Sequence, residues 1–314
     1  MVRLGMAAFD LARAKKWAFA VVPAVGVLEL VAHLWQTTAG VTPTSDWKAA
    51  REVVKAKAKA DDLVIFAPSW VDPVGRETFG DEVATLEREA FPDVTRFPRA
   101  FEVSIRGKHR GELAGWREVG RDRVGGITIT TFENPAPLKI IDDLVLHVSP
   151  NGMTAQRADG ARETDCAFQN GGGQAAGLGF GMAIPNQRFT CQGGGFVGVS
   201  VLEPIDYQAR KCIYAAPIGG GSVLRIRFAN VAFGKALHGH HGLYSEHERG
   251  GSPVALLFKA EDKTVGRVVH NDGDGWKGFE LDTSELDGKS GDLVAEVTAP
   301  NANHRAYCFE ADTR

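Results

Sequence analysis

The sequence predicts a multidomain α+β protein: an N-terminal transmembrane helix, a small α/β domain, and a C-terminal antiparallel β-sandwich that is jelly-roll-like. Three observations predict it. Trp17 to Trp35 is apolar apart from Glu29 and His33. Between residues 44 and 135 helical and strand patterns alternate, the signature of a mixed sheet with helices against it. After Phe196 the chain becomes a series of short strand-like runs separated by Gly, Pro, Asn and Asp.

The apolar stretch comes first. As a helix, its 19 residues rise roughly 28 Å, close to the thickness of a bilayer's hydrocarbon core. Arg3, Arg13, Lys15 and Lys16 precede it and the next basic residue is Lys48, a bias that holds the N-terminus in the cytoplasm and exports the rest of the chain. Glu29 opposes insertion by about 2.5 kcal/mol or somewhat more. Two other readings share the composition: a signal peptide cleaved near Thr37-Thr38-Ala39, and a buried helix of a soluble protein. Residues 1–16 read as a basic amphipathic helix on the inner leaflet or as a solvated tail. The expected location is the cell membrane, single-pass, with the bulk of the chain extracytoplasmic and residues 1–43 forming tail, anchor and linker.

Composition narrows the partners. With 314 residues and a formal net charge of −3, the chain has length for two cores and no basic excess to hold nucleic acid. Membrane is one expected partner, and glycan or another envelope component a second. Cys166, Cys191, Cys212 and Cys308 are an even set, expected to form two disulfides in an exported chain. Sequence alone leaves their connectivity open. No cofactor motif is present: there is no Walker motif, dinucleotide fingerprint, GxSxG or HExxH.

The α/β domain is expected over residues 44–135. Thr44, Ser45 or Asp46 caps a helix carrying Trp47, Ala50, Val53 and Val54 at helical spacing. Leu63 to Ala67 is a short apolar run, predicted as a central strand buried on both faces. Ser69 to Gly80 reads as a loop, Asp81 to Ala90 as a helix, and Phe101–Ile105 and Gly126–Phe132 as strands, with a polar stretch around Trp116 between them. The Asp46-Trp47 start, the Asp61-Asp62 pair opening a buried strand, and a later strand ending in Phe132-Glu133-Asn134-Pro135 resemble one exported module. It is the extracytoplasmic α/β domain of polytopic lipid-linked-sugar glycosyltransferases. In that family the catalytic carboxylate lies in a multi-helix membrane bundle, so the resemblance implies a fold and not transferase activity.

Residues 136–314 are expected to form the disulfide-bonded β-sandwich. Ile140 to Val148 reads as a strand, and the Gly-rich NGGGQAAGLGFGM reads as loop rather than phosphate cradle, since no Lys-Ser/Thr comes after Gly177, Gly179 and Gly181. Eight runs from FVGVSVL to RAYCFEA supply the strands. The stretch Trp276 to Ala299, with its Trp-bearing strand ending in Asp-Thr and a Gly turn before an alternating strand, is similar to late strands of jelly-roll carbohydrate-binding modules. On that topology the terminal strands lie side by side, which favours Cys212 with Cys308 and leaves Cys166 with Cys191 across the Gly-rich stretch.

Candidate site residues are chosen by chemistry. A sugar site needs an aromatic platform with polar neighbours, a composition offered by Trp276 with His270, Asn271, Asp272 and Asp274. A core Trp in a hairpin turn is the alternative. Trp70, Asp72 and Arg76 come after the first α/β strand, where open sheets bind ligands. His238, His240 and His241 are the metal-like group; strand alternation would place His238 and His240 on one face, whereas Gly239 and Gly242 suggest a turn. The function expected is glycan or envelope recognition by a non-catalytic, membrane-anchored sandwich. The alternative is an exported glycoconjugate-acting enzyme with its site in the α/β domain or at the domain interface.

Overall fold

The computed structural model describes residues 11–39, 41–84, 90–91, 93–175, 182–206 and 208–314. Gly177, Gly179 and Gly181 lie outside the described residues. Helix α1 (Leu11–Ala39) contains the apolar window Phe19–Gln36, with mean hydropathy 1.5 and no part buried against the rest of the chain. By length and composition that window is able to cross a membrane; a signal sequence has the same properties.

Helix α2 (Thr44–Lys57), strand β1 (Leu63–Ala67) and helix α3 (Asp72–Val83) precede β2 (Arg99–Ile105), β3 (Arg117–Val124) and β4 (Ile127–Glu133). The four strands form one sheet in the order β1-β2-β4-β3, parallel only between β1 and β2. Trp47, Ala50 and Val54 of α2 pack with Phe79 and Val83 of α3 against Val64 and Phe66, while Leu63 and Ile65 face a second cluster with Phe91 and Phe97. So β1 is buried on both faces, but it is an edge strand and not the central one. Its open edge is covered by Arg110, whose Nη1 donates to the Phe66 carbonyl at 3.1 Å.

Three local expectations are corrected by the structure. The predicted loop Ser69–Gly80 is a 3-10 turn running into α3, because Val71, Gly75, Phe79 and Val83 recur every fourth residue and form its buried face. Gly75 lets that face reach β1: a Cβ there would sit 2.3 Å from the Phe66 ring. Asp46 does not cap α2; Pro43 occupies the N-cap, and the Asp46 carboxylate accepts the Gly126 N–H at 2.9 Å across the β3–β4 turn. The polar stretch after Trp116 is strand β3, a charged outer strand whose exposed residues carry no apolar alternation.

Among the described residues, fourteen further strands complete the chain. They are β5 (Asp142–Asp143), β6 (Met153–Asp159), β7 (Arg162–Asp165), β8 (Ala167–Asn170), β9 (Gln187–Thr190), β10 (Phe196–Leu202) and β11 (Arg210–Ala216), then β12 (Val223–Ala232), β13 (Ala236–Leu243), β14 (Val254–Ala260), β15 (Lys263–His270), β16 (Lys277–Asp282), β17 (Ser290–Thr298) and β18 (Tyr307–Thr313). The expected strand Ile140–Val148 shrinks to β5 and a 3-10 turn, since the Asp143 carboxylate accepts the Val145 N–H at 3.0 Å and turns the chain. Six strands pair in the order β15-β14-β17-β12-β6-β7; the other sheet runs β16-β13-β18-β11-β10-β9-β8, with β5 against β18. All their pairings are antiparallel. Both sheets contribute to one core, Leu224, Ile226, Phe228, Leu256 and Phe258 from one and Val197, Ile213, Leu237, Tyr307 and Phe309 from the other.

The HGHHG run is not a turn. It is the middle of β13, with His238 and His240 on the outward face and His241 inward. Gly239 permits the strand, because a Cβ there would meet the Glu310 carbonyl at 2.2 Å and the Phe279 ring at 2.6 Å. Cysteine linkage is Cys166 to Cys191 and Cys212 to Cys308, the pairs that the strand order favoured.

Residues 90, 91 and 93–98 lie between the four-stranded sheet and the larger strand-rich region. Phe91 and Phe97 pack under β1. The Phe91 carbonyl accepts from Arg210 Nη1 at 3.1 Å, and Ala90 accepts the Lys211 N–H at 2.8 Å. Arg314 donates to Asp93 at 2.9 Å and to Thr95 Oγ1 at 3.1 Å.

Candidate ligand-binding site

The outward face of the six-stranded sheet carries a groove of about 520 Å³. Strand alternation builds it: Leu224, Ile226 and Phe228 point into the core, so Arg225 and Arg227 point out, as do Val294 on β17 and Lys259 on β14. Arg225 lies directly opposite Glu296 across the β12–β17 ladder, and Arg227 opposite Val294. Glu296 is 8% exposed; it accepts Arg225 Nε at 2.9 Å and pairs with Lys259 Nζ at 2.8 Å. Burial works to raise the Glu296 pKa, but Lys259 and Arg225 outweigh it and hold the carboxyl below its ordinary value. Arg225 also meets Glu163 on β7, whereas the Arg227–Asp292 pair is looser at 3.4 Å. Five carboxylates and three basic side chains line the groove, a formal charge of −2, and its one apolar residue is Val294. Such a surface offers paired donors and acceptors already held in position, which suits hydroxyls better than it suits a polyanion.

A second cleft, about 350 Å³, opens beyond the C-terminal end of β1. Ser69, Lys108, His109 and Glu112 line it together with Asp206 and Gln208 from the β10–β11 connection. His109 Nδ1 lies 2.6 Å from Glu102, whose carboxylate is fully buried and also accepts the Arg110 N–H at 2.6 Å. Glu112 is raised by burial, yet the Arg110 guanidinium more than offsets this and keeps it below the ordinary carboxylate range. Trp70 stands beside Ser69 in sequence, 61% exposed, with Arg106 over its ring at 5.6 Å. Asp72 is buried and pairs with Arg76 at 2.7 Å; desolvation raises its pKa despite that partner. Trp70 is therefore open to a ligand, while Asp72 and Arg76 are largely committed to each other.

The remaining candidates divide. His270 is fully buried, with Nε2 3.0 Å from Glu248, so it cannot serve a surface sugar site. Asp272 accepts from Arg305 at 2.6 Å and from the Gly251 N–H at 2.9 Å; Asp274 accepts the Asn271 N–H at 3.0 Å and pairs with Lys277 at 2.9 Å. Asp274 holds its own turn, and Asp272 ties that turn to the segments around Gly251 and Arg305. Trp276 is half-buried and stacks on His240, ring centroids 5.7 Å apart and 7° from parallel, so one of its faces is already covered. His241 is buried against Tyr307, whose hydroxyl lies 3.0 Å from Nδ1, and burial takes its pKa down to about 3. It does not join His238 and His240. Sequence reasoning passed over Arg225, Arg227, Lys259 and Glu296; the outward positions of RIR and of the Glu in VAEVT were legible as one face only once β12 and β17 were known to be neighbours.

No family model matches the chain, and no curated protein matches it. Among solved structures, the CBM51-2 and INT domains of Clostridium perfringens ZmpB overlap 64% of this chain and 41% of that one at 11% identity and TM-score 0.28. The CBM51-2 structure in complex with GlcNAc, with INT domains of the same protein, gives 62%, 45%, 10% and 0.29. A variant of the family 29 carbohydrate-binding module CBM29-2 gives 51%, 88%, 14% and 0.23. This chain thus spans less than half of the two ZmpB structures. At such distances the strand order and the side chains carry the reading, and the likeness of residues 44–135 to a glycosyltransferase module stays a sequence resemblance.

Proposed function

We propose that the chain is a membrane-tethered, non-catalytic glycan-binding protein whose ligand lies along the outward face of the six-stranded sheet. In this reading residues 1–43 tether it, residues 44–135 form an α/β domain, and residues 136–314 form a jelly-roll-like sandwich facing the cell envelope. The observation that supports it most is the fixed lattice of Arg225, Glu296 and Lys259 with the less tightly held Arg227 beside it. Vicinal hydroxyls of a sugar can bridge a guanidinium and a carboxylate spaced in this way. The formal −2 of the groove favours neutral or amino-bearing glycans over acidic ones. The test is a glycan array probed with the full chain and with an R225A/R227A double variant. Neutral or amino-bearing hits that fall at least tenfold in the variant support the reading; hits that persist, or only acidic hits, contradict it.

The cleft at the end of β1 supports a second reading, an enzyme acting on glycoconjugates. A buried carboxylate that fixes one nitrogen of a half-exposed imidazole, as Glu102 does for His109, is how a general base is held in orientation. Turnover of an array hit that disappears in His109→Ala would favour this reading over simple binding.

A further inference from the structure

On the outward face of the other sheet, His238, His240 and Asp93 meet where β13 faces the segment 93–98. One potential ligand atom from each lies within 4.8 Å of the others. His238 Nδ1 is 3.7 Å from Asp93 Oδ2, and His240 Nδ1 is 2.7 Å from Glu310 Oε1, the residue directly opposite it on β18. We infer that Asp93, His238 and His240, with Glu310 as the adjacent fourth group, form a binding site for a divalent metal ion of zinc type that ties the segment 93–98 to β13.

Three independent features carry this. First, a tetrahedral zinc with ligands near 2.0 Å places them roughly 3.3 Å from one another, and one atom from each of the three residues already lies within 4.8 Å of the others. Second, His238 Nδ1 is buried without a hydrogen-bond partner, and the nearest carboxylate is that of Asp93; a buried nitrogen left in this way calls for a ligand. Third, the carboxylates here share few cations: Asp93 and Asp312 both pair with Arg314, while Glu310 faces His240. Supporting bonds are present as well, since Thr95 donates to Asp93 from its N–H at 2.7 Å and its hydroxyl at 2.6 Å. The other close histidines are engaged elsewhere: His241 with Tyr307, His270 with Glu248, and His247 with the Ala306 N–H at 3.1 Å.

The test uses untagged full-length protein, dialysed against chelator and titrated with CoCl2, then with ZnCl2. One equivalent of cobalt with the intense visible absorption of a tetrahedral site, displaced by zinc, is expected. His238→Ala and His240→Ala should each weaken binding more than tenfold, and His247→Ala should leave it unchanged. In case a variant does not fold, diethyl pyrocarbonate footprinting of the wild-type chain gives a second readout, with zinc protecting His238 and His240 but not His304. Absence of stoichiometric binding, binding that survives both alanine variants, or equal modification with and without zinc would overturn the inference.

Discussion

The two outward faces of the sandwich are built by the same alternation of strand residues and have opposite fates. On the six-stranded sheet, Arg225, Arg227 and Lys259 stay in contact with solvent beside the carboxylates that balance them. On the other sheet, Cys212, Cys308, Glu310 and Asp312 are buried, covered by Trp276, Tyr244 and the segment 93–98. The difference teaches that charge has two separate uses here. Where water is retained, ion pairs add little stability and remain available to a ligand; where water is excluded, each charge must find a partner, as Glu310 does in His240 and Arg314 in Asp312 and Asp93.

The largest effect that should separate the faces is loss of the Cys212–Cys308 link on the covered one. It closes a sequence separation of 96 residues, and by loop-closure reasoning Cys308→Ser should cost about 3 to 5 kcal/mol of sandwich stability. Urea unfolding read separately from Trp47 and Trp276, by single-Trp replacement, should show the second transition shifted and the first spared. A common shift of both would mean that the two regions unfold as one.

Next is Arg314→Ala, which strands Asp93 and Asp312 on the covered face and should cost roughly 3 kcal/mol. Its counterpart on the open face comes last and is smallest: Glu296→Gln should cost less than about 1 kcal/mol, because Arg225 and Lys259 regain water. Equal losses in the two variants would erase the contrast between the faces.

Between them lies a pH effect. His241 is neutral in the fold, its pKa taken down to about 3 by burial, against 6.5 when unfolded. A group with a depressed folded pKa supplies stability above its unfolded value and loses it as pH falls. From pH 6.5 toward 3 the unfolded chain therefore binds a proton that the folded chain refuses, a slope approaching 1.4 kcal/mol per pH unit. The stability difference between wild type and His241→Gln should shrink along that slope from pH 6.5 to 5, and a difference independent of pH would place the imidazole elsewhere.

Legibility in the sequence tracks the range of the interactions. Runs such as LVIFA and SVLRIRFANVAF declare themselves because strand burial leaves a period-two or continuous apolar mark within the run itself. HGHHG hid its strand, since polar and Gly residues sit there for reasons supplied by β18 and Phe279, far away in sequence. Strand β3 hid for the opposite reason, having almost nothing to bury. The candidate site was the least legible part. Sugar chemistry drew attention to Trp276 and the Asp-rich turn, but Asp274 closes that turn and Asp272 ties it to Gly251 and Arg305, and the partly buried lattice of Arg225, Lys259 and Glu296 is assembled from residues more than thirty positions apart.

Hydrogen–deuterium exchange on the full chain, with and without the strongest array glycan, tests the central claim most directly. Binding on the open face predicts slowed exchange confined to β12, β14 and β17, with β13, β16 and the 106–112 segment unchanged. Protection of the 106–112 segment with no change in β12 and β17 would contradict the assignment and move the ligand to the cleft beside Trp70.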